Sequence, residues 1–263
     1  MIQVASDIHL EFYDDSNPEL FLRFVKPSAP YLALLGDIGY PTSRIYFDFL
    51  KYCSENFEQV LLISGNHEYY DCLKNLLTMK EIDLEIEKIC SQLGNVHYLN
   101  NSTYELDNIL FIGTTLWSEM DDEDKQFQAG LFVNDYKYTI VDFEQGCNYL
   151  GPSMVNLLFA RNVRFLIETI ENNLDREIVI LSHHLPTFSA IDPKYYSNPV
   201  NFAYASELDW MFYQYPIKMW LFGHTHSPVR IKVSKTKLHC NPVGYNKQNG
   251  EFQNEEYHND YVV

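Results

Sequence analysis

No stretch of the 263-residue chain reaches the roughly 20 uninterrupted apolar residues that a membrane-spanning helix requires, and the amino terminus lacks a basic segment followed by an apolar one. Neither a membrane partner nor a secretory leader is expected; a cytoplasmic location is. Cations are scarce, with 19 Lys and Arg against 36 Asp and Glu, a formal charge of -17. Nucleic acid is gripped mainly by Lys and Arg on its phosphates, so no long DNA or RNA is expected as a partner. Bound divalent cations would reverse that field locally, which leaves room for a small phosphorylated molecule at one spot. The five cysteines are odd in number and lack C-x-x-C spacing, which fits neither a disulfide scaffold nor a zinc ribbon and suits a reducing compartment. No repeat, low-complexity tract or linker divides the chain, so one domain over 1–263 is the economical reading.

Apolar and aromatic side chains are plentiful. At 46% hydrophobic residues, with 20 Tyr and 17 Phe, the chain can build a full core, and disorder is excluded. Continuous apolar runs at Tyr31 to Leu35, Val60 to Ile63, Ile109 to Ile112, Ile178 to Leu181 and Met219 to Phe222 read as strands covered on both faces. Amphipathic helices are expected after Pro41 (Ile45, Phe49, Cys53, Phe57), over Leu73 to Leu93 ending at Gly94, and after Pro152 (Val155, Phe159, Val163, Leu166, Ile170, Leu174). Residues 10–30, 118–152 and 185–205 read as loops, the second opening with the acidic stretch Glu119 to Asp124.

Polar residues of metal-ligand type follow the apolar runs at their carboxyl ends. Ile2 to Ser6 leads into Asp7-Ile8-His9, Leu32 to Leu35 into Gly36-Asp37, and Leu61 to Ser64 into Gly65-Asn66-His67-Glu68. Later, Ile178 to Ser182 leads into His183-His184 and Trp220 to Phe222 into Gly223-His224-Thr225-His226. In α/β sheets ligand sites form at those strand ends, so the five blocks are expected to meet. Each is weak alone, since a single Asp-x-His is more often surface decoration. Together they take up six of the nine histidines.

In this order, the blocks D-x-H, G-D, G-N-H-[DE], H and G-H-x-H resemble the calcineurin-like metallophosphoesterases over residues 7–226. The tail Cys240-Asn241-Pro242-Val243-Gly244-Tyr245 resembles the end of short, uncharacterised members. The resemblance implies an α/β four-layer sandwich, two central mixed β-sheets flanked by helices. It implies a dinuclear centre with Asp7, His9 and His226 on one metal, Asn66, His183 and His224 on the other, and Asp37 bridging. His183 is taken over His184 because the family's ligand directly follows the strand. His67 is implied as general acid, and Glu68 as an orienting or structural group. His67-Glu68-Tyr69-Tyr70-Asp71 is not H-E-x-x-H, so a zinc-protease reading fails.

The chemistry wants this composition. Two cations about 3.5–4 Å apart screen a phosphate ester's charge and make hydroxide available from a bridging water near neutral pH. Imidazole and oxygen ligands without thiolate suit Mn, Fe, Zn or Co, with Mn expected to serve in vitro. The expected function is hydrolysis of a small phosphodiester or phosphomonoester by metal-bridging hydroxide, with His67 protonating the leaving group. Asp37 is followed by Ile38-Gly39-Tyr40 rather than the arginine-bearing signature of protein phosphatases, which disfavours a phosphoprotein substrate. Arg44 reads either as a substitute clamp or as a surface residue at a helix start. Tyr40, Tyr69, Tyr70, Tyr195 and Tyr196 read either as pocket walls or as core packing. The rivals are a nuclease, opposed by the acidic charge, and a metal-poor scaffold for protein partners, opposed by the intact ligand set.

Overall fold

The five apolar runs are strands because each alternate side chain has a dry surface to meet. In the computed structural model, which describes residues 1–13, 17–142, 147–247 and 251–263, they are distributed between two sheets. The first sheet holds β1 (Ile2–Ala5), β2 (Tyr31–Leu35), β3 (Gln59–Ile63) and β4 (Val96–Tyr98), in that order and all parallel. An antiparallel bridge from Gln3 to Val262 extends it at the β1 edge. β5 (Ser102–Leu106) and β6 (Ile109–Thr114) form an antiparallel pair in the second sheet, and β7 (Ile140–Asp142) and β8 (Asn148–Tyr149) make a separate ribbon. The second sheet is completed by β9 (Glu177–Ser182), β10 (Ile217–Phe222), β11 (Val229–Val233) and β12 (Thr236–Cys240), in the mixed order β11-β12-β10-β9-β6-β5.

Side-chain alternation assigns the layers. Val4, Ala33, Leu35, Leu61 and Ile63 of the first sheet pack against Phe111, Val179, Leu181 and Leu221 of the second, forming the seam between the sheets. Their neighbours Leu32, Leu34, Val60 and Leu62, with Ile112, Ile180, Trp220 and Phe222, belong to the larger cluster shared with the helices. The result is the expected four-layer sandwich.

The helices are α1 (Pro18–Phe24), α2 (Arg44–Asn56), α3 (Asp71–Asn75), α4 (Met79–Leu93), α5 (Glu123–Phe132), α6 (Asp135–Tyr138), α7 (Pro152–Glu171) and α8 (Asp209–Gln214). The anticipated stripe of α2 is buried, as are Val155, Phe159, Leu166 and Ile170 of α7, whereas Val163 is half-buried and Leu174 lies exposed beyond the helix end. The helix expected over Leu73 to Leu93 is two helices. Leu76 turns left-handed at φ 52°, and Thr78 restarts the chain with a capping box, its hydroxyl accepting from Glu81 N while the Glu81 carboxylate accepts from Thr78 N. Two segments expected as loops carry elements. Residues 10–30 contain α1, and 118–152 contain α5, α6 and the ribbon; Gly146 lies outside the described residues. The acidic stretch caps α5, with Asp122 accepting from Lys125 N. Segment 185–205 is a loop with three short 3-10 turns. All five cysteines are free, and no helix among the described residues is long and apolar enough to cross a membrane.

Candidate metal centre and cleft

Because β1, β2 and β3 run parallel, as do β9 and β10, their carboxyl ends reach the same end of the sandwich and the five polar blocks converge there. The turns that follow are tight. Asp7, His9, Asp37, His224 and His226 all adopt positive φ, between 48° and 68°, five of the eleven non-glycine residues that do so among the described residues. Such left-handed backbone is disfavoured for side chains with a Cβ and persists where the surroundings over-determine it, as at functional sites. Gly36 (φ 82°) shows why the Gly-Asp pair needs glycine: a Cβ there would lie 2.5 Å from Gly65 N and 2.6 Å from His183 Nδ1.

Among the described residues, ligand-type atoms gather in two groups that share a carboxylate, with a third set, His9, Glu11 and His67, overlapping the first. Asp7, His9, Asp37 and His226 form the first group, and Asp37, His183 and His224 the second, so Asp37 is common to both. Asn66 joins the second group, its Oδ1 lying 3.2 Å from His183 Nε2. The structure thus brings all seven expected residues together, five of them 4% exposed or less, with His224 and His226 partly open. Each group contains imidazole nitrogens in close approach: His9 Nε2 is 3.0 Å from His226 Nε2, and His183 Nε2 is 3.1 Å from His224 Nδ1.

The opposite ring nitrogens explain which atoms are bare. His9 Nδ1 donates to Glu11 Oε1 at 3.0 Å, His183 Nδ1 to the Leu35 carbonyl at 2.8 Å, and His226 Nδ1 to Gln253 Oε1 at 2.9 Å. Outer acceptors of this kind fix the tautomer and turn the Nε2 lone pair inward. Two lone pairs at 3.0 Å repel unless a cation lies between them or a proton binds to one. The electrostatics express the same demand. Burial disfavours charge on His183, yet Asp37 and Asp7 raise its pKa to about 10. Burial opposes ionisation of Asp37 too, but His183 and His67 hold its carboxyl well below the usual range. The pocket calls for positive charge beside buried carboxylates, and a divalent cation fits that donor set.

His67 N donates to Asp37 Oδ1 at 2.8 Å, which pins the His67 ring beside the shared carboxylate. Its Nδ1 lies 2.9 Å from Glu11 Oε1 and its Nε2 3.3 Å from the Tyr245 hydroxyl. Burial depresses the His67 pKa, but Asp37 and Glu11 outweigh it and bring it to about 9. Glu68 is structural: its carboxylate accepts from Gly65 N, Asp37 N and Ile38 N at 2.7, 3.0 and 2.7 Å, tying two of the turns together. His184 points its Nδ1 to the Thr115 carbonyl and packs its ring 4.3 Å from His224, so it supports the second group from behind.

A cleft of about 530 Å³ opens over these residues, walled by aromatic side chains that include Tyr40, Tyr70, Tyr138, Tyr195, Tyr204 and Tyr245. Of the five tyrosines considered from sequence, Tyr40, Tyr70 and Tyr195 line it; Tyr69 is buried on Ser64 and Asp83, and Tyr196 points away, 65% exposed. No Lys or Arg lines the cleft among the described residues. Arg44 pairs with Asp48 on the exposed side of α2 and is a surface residue.

Four further site residues lie outside the five polar blocks. Glu11 receives both His9 and His67, and Asp135 of α6 accepts from Asn66 Nδ2 at 2.9 Å and from the Tyr70 hydroxyl at 2.6 Å, so that Asn66 turns its oxygen towards His183. Tyr245 and Gln253 arrive from the carboxyl-terminal segment. Glu11 continues the alternation Asp7, His9, Glu11, the one signal that could have exposed it.

A sequence model of the calcineurin-like phosphoesterases matches residues 2–228. The chain belongs to that family. This phosphoesterase is 29% identical over 265 residues to an uncharacterised protein of Acanthamoeba polyphaga mimivirus, covering 96% of this chain and 94% of that one. In fold it is similar to the phosphopantetheinyl hydrolase of Mycobacterium tuberculosis, with TM-score 0.67 and 15% identity over 93% of this chain and 89% of that one. It is also similar to a dimetal phosphatase of Danio rerio, with TM-score 0.54 and 14% identity over 91% and 86%. These last two likenesses show the fold alone. Family membership makes this phosphoesterase a metal-dependent phosphoric ester hydrolase, with a cluster of Asp and His side chains suited to holding metal.

Proposed function

We propose that the enzyme hydrolyses a small phosphodiester or phosphomonoester at a dinuclear centre. The observation that carries this reading is the pair of ligand groups meeting at Asp37, each with imidazole nitrogens turned towards one another. Asp7, His9 and His226 would hold one ion, Asn66, His183 and His224 the other, and Asp37 both. When bound, divalent ions would screen the ester's charge and activate water near neutral pH.

The protein's own residues do the rest. Glu11 and Gln253 hold His9 and His226 in the productive tautomer, the Leu35 carbonyl does so for His183, and Asp135 orients Asn66. His67, anchored to Asp37 and Glu11, carries the proton destined for the leaving oxygen. The aromatic walls exclude water and receive the ester's organic group. With no arginine lining the cleft among the described residues, the singly charged diester is the better match.

Hydrolysis of bis(p-nitrophenyl) phosphate and p-nitrophenyl phosphate in Mn²⁺ tests the reading. A diester preference is expected, and Asn66→Ala is expected to reduce the rate by about 10²-fold or more. Protein that retains no metal and turns over neither ester would return the scaffold reading.

A further inference from the structure

The family match ends at residue 228, yet the segment beyond it reaches into the site. Main-chain bonds set its position: Val243 N donates to the Ser6 carbonyl and Gly244 N to the Asp7 carbonyl, each at 2.9 Å. Tyr245 N donates to Gln253 Oε1 at 3.1 Å, the oxygen that also receives His226 Nδ1. The Tyr245 ring is thereby held 4.5 Å from the rings of both His9 and His226.

This places the phenol at the working end of His67. Glu11 occupies His67 Nδ1, Tyr70 and His9 pack at 4.3 and 4.4 Å from the ring, and Nε2 has the Tyr245 hydroxyl at 3.3 Å. Both residues line the cleft, His67 9% exposed and Tyr245 41%, so the tyrosine is the more open member of the pair.

We infer that Tyr245 is a further catalytic residue, whose hydroxyl passes the His67 proton to the leaving-group oxygen. As the bond from phosphorus to the leaving group breaks, its electron pair stays on the leaving oxygen. That oxygen takes the phenolic proton, while the phenolic oxygen takes the proton from His67 Nε2. Tyr245 ends as it began and His67 ends neutral, with Nδ1–H still on Glu11. The attacking water forms the new bond to phosphorus, and its released proton restores His67 through solvent. The inference rests on the hydrolytic reading above.

The test compares metal-loaded wild-type and Tyr245→Phe enzymes on a series of substituted diphenyl phosphates, from bis(p-nitrophenyl) to the unsubstituted ester. Nitrophenolate departs without needing a proton, and phenolate needs one. Tyr245→Phe is expected to cut kcat/KM by about 10²-fold on diphenyl phosphate and by less than about threefold on the nitrophenyl ester. Metal content and melting temperature should not change, and a second removal, of His67, should steepen the series no further. An equal loss across the series would mean a structural role, and no loss would mean that His67 delivers its proton directly; either overturns the inference while the hydrolytic reading stands. Wild-type enzyme inert on every ester would remove both.

Discussion

A buried imidazole with a charged neighbour is a pH sensor with a known sign, and His184 is the clearest one here. Burial first, and the charge on His183 second, lower its pKa from the ordinary 6.5 to about 3. Its Nε2 is buried without a partner, so the folded protein has nothing to offer a second proton. The unfolded chain binds that proton as the pH falls below 6.5, whereas the folded chain does not until about 3. Stability from this group is therefore complete above 6.5 and is lost as the pH falls towards 3, at up to about 1.4 kcal/mol per unit. His184→Phe keeps an aromatic ring against Trp117 and His224 and cannot charge. Urea unfolding of chelator-treated protein is expected to show a shallower decline for the variant than for wild type between pH 6.5 and 4. Parallel declines would mean that His184 does not carry this acid sensitivity.

At the scale of elements, what was legible depended on how far a pattern runs. Each long apolar run proved to be a strand, and the three- or four-residue spacing after Pro41 and Pro152 proved to be helix, because a periodic face needs one flat dry surface and little else. Short elements escaped. α5 and α6 lie in a segment rich in charge and glycine, and α6 has four residues, too few to display a period. The break between α3 and α4 escaped because apolar residues continue through it; only Thr78 with Glu81 three residues on announces the restart. That break leaves Leu76 left-handed at φ 52° and 67% exposed, with strain but little burial to offset it. Leu76→Gly should accordingly stabilise the protein, by about 0.5–1 kcal/mol, since glycine adopts this conformation without the Cβ clash. Leu76→Val should destabilise it, because branching at Cβ worsens the same clash. Thermal unfolding of the two variants reads the sign directly, and a loss for the glycine variant would refute the strain argument.

At the scale of the whole molecule, the five polar blocks could be read from sequence because parallel strands bring their carboxyl ends together whatever the loop lengths between them. The supports could not. Asp135 reaches Asn66 across 69 positions and Tyr245 reaches His67 across 178, distances that only the packed fold closes. This layout also predicts how the site should come apart. Asp37 belongs to both ligand groups, whereas His226 belongs to one and Asn66 to the other. In a chain of net charge -17, the buried carboxylates at the seam add local repulsion that bound cations would relieve, so metal should raise stability by mass action, about 4 kcal/mol at a thousand times Kd. Metal analysis of purified protein is expected to find two ions per chain in wild type, one in Asn66→Ala and one in His226→Ala. Asp37→Asn should hold neither firmly, and its melting temperature should no longer respond to Mn²⁺. A wild-type protein that saturates at one ion, with one of the single-group variants binding as wild type does, would reduce the centre to a mononuclear site and leave the other group as second-sphere support.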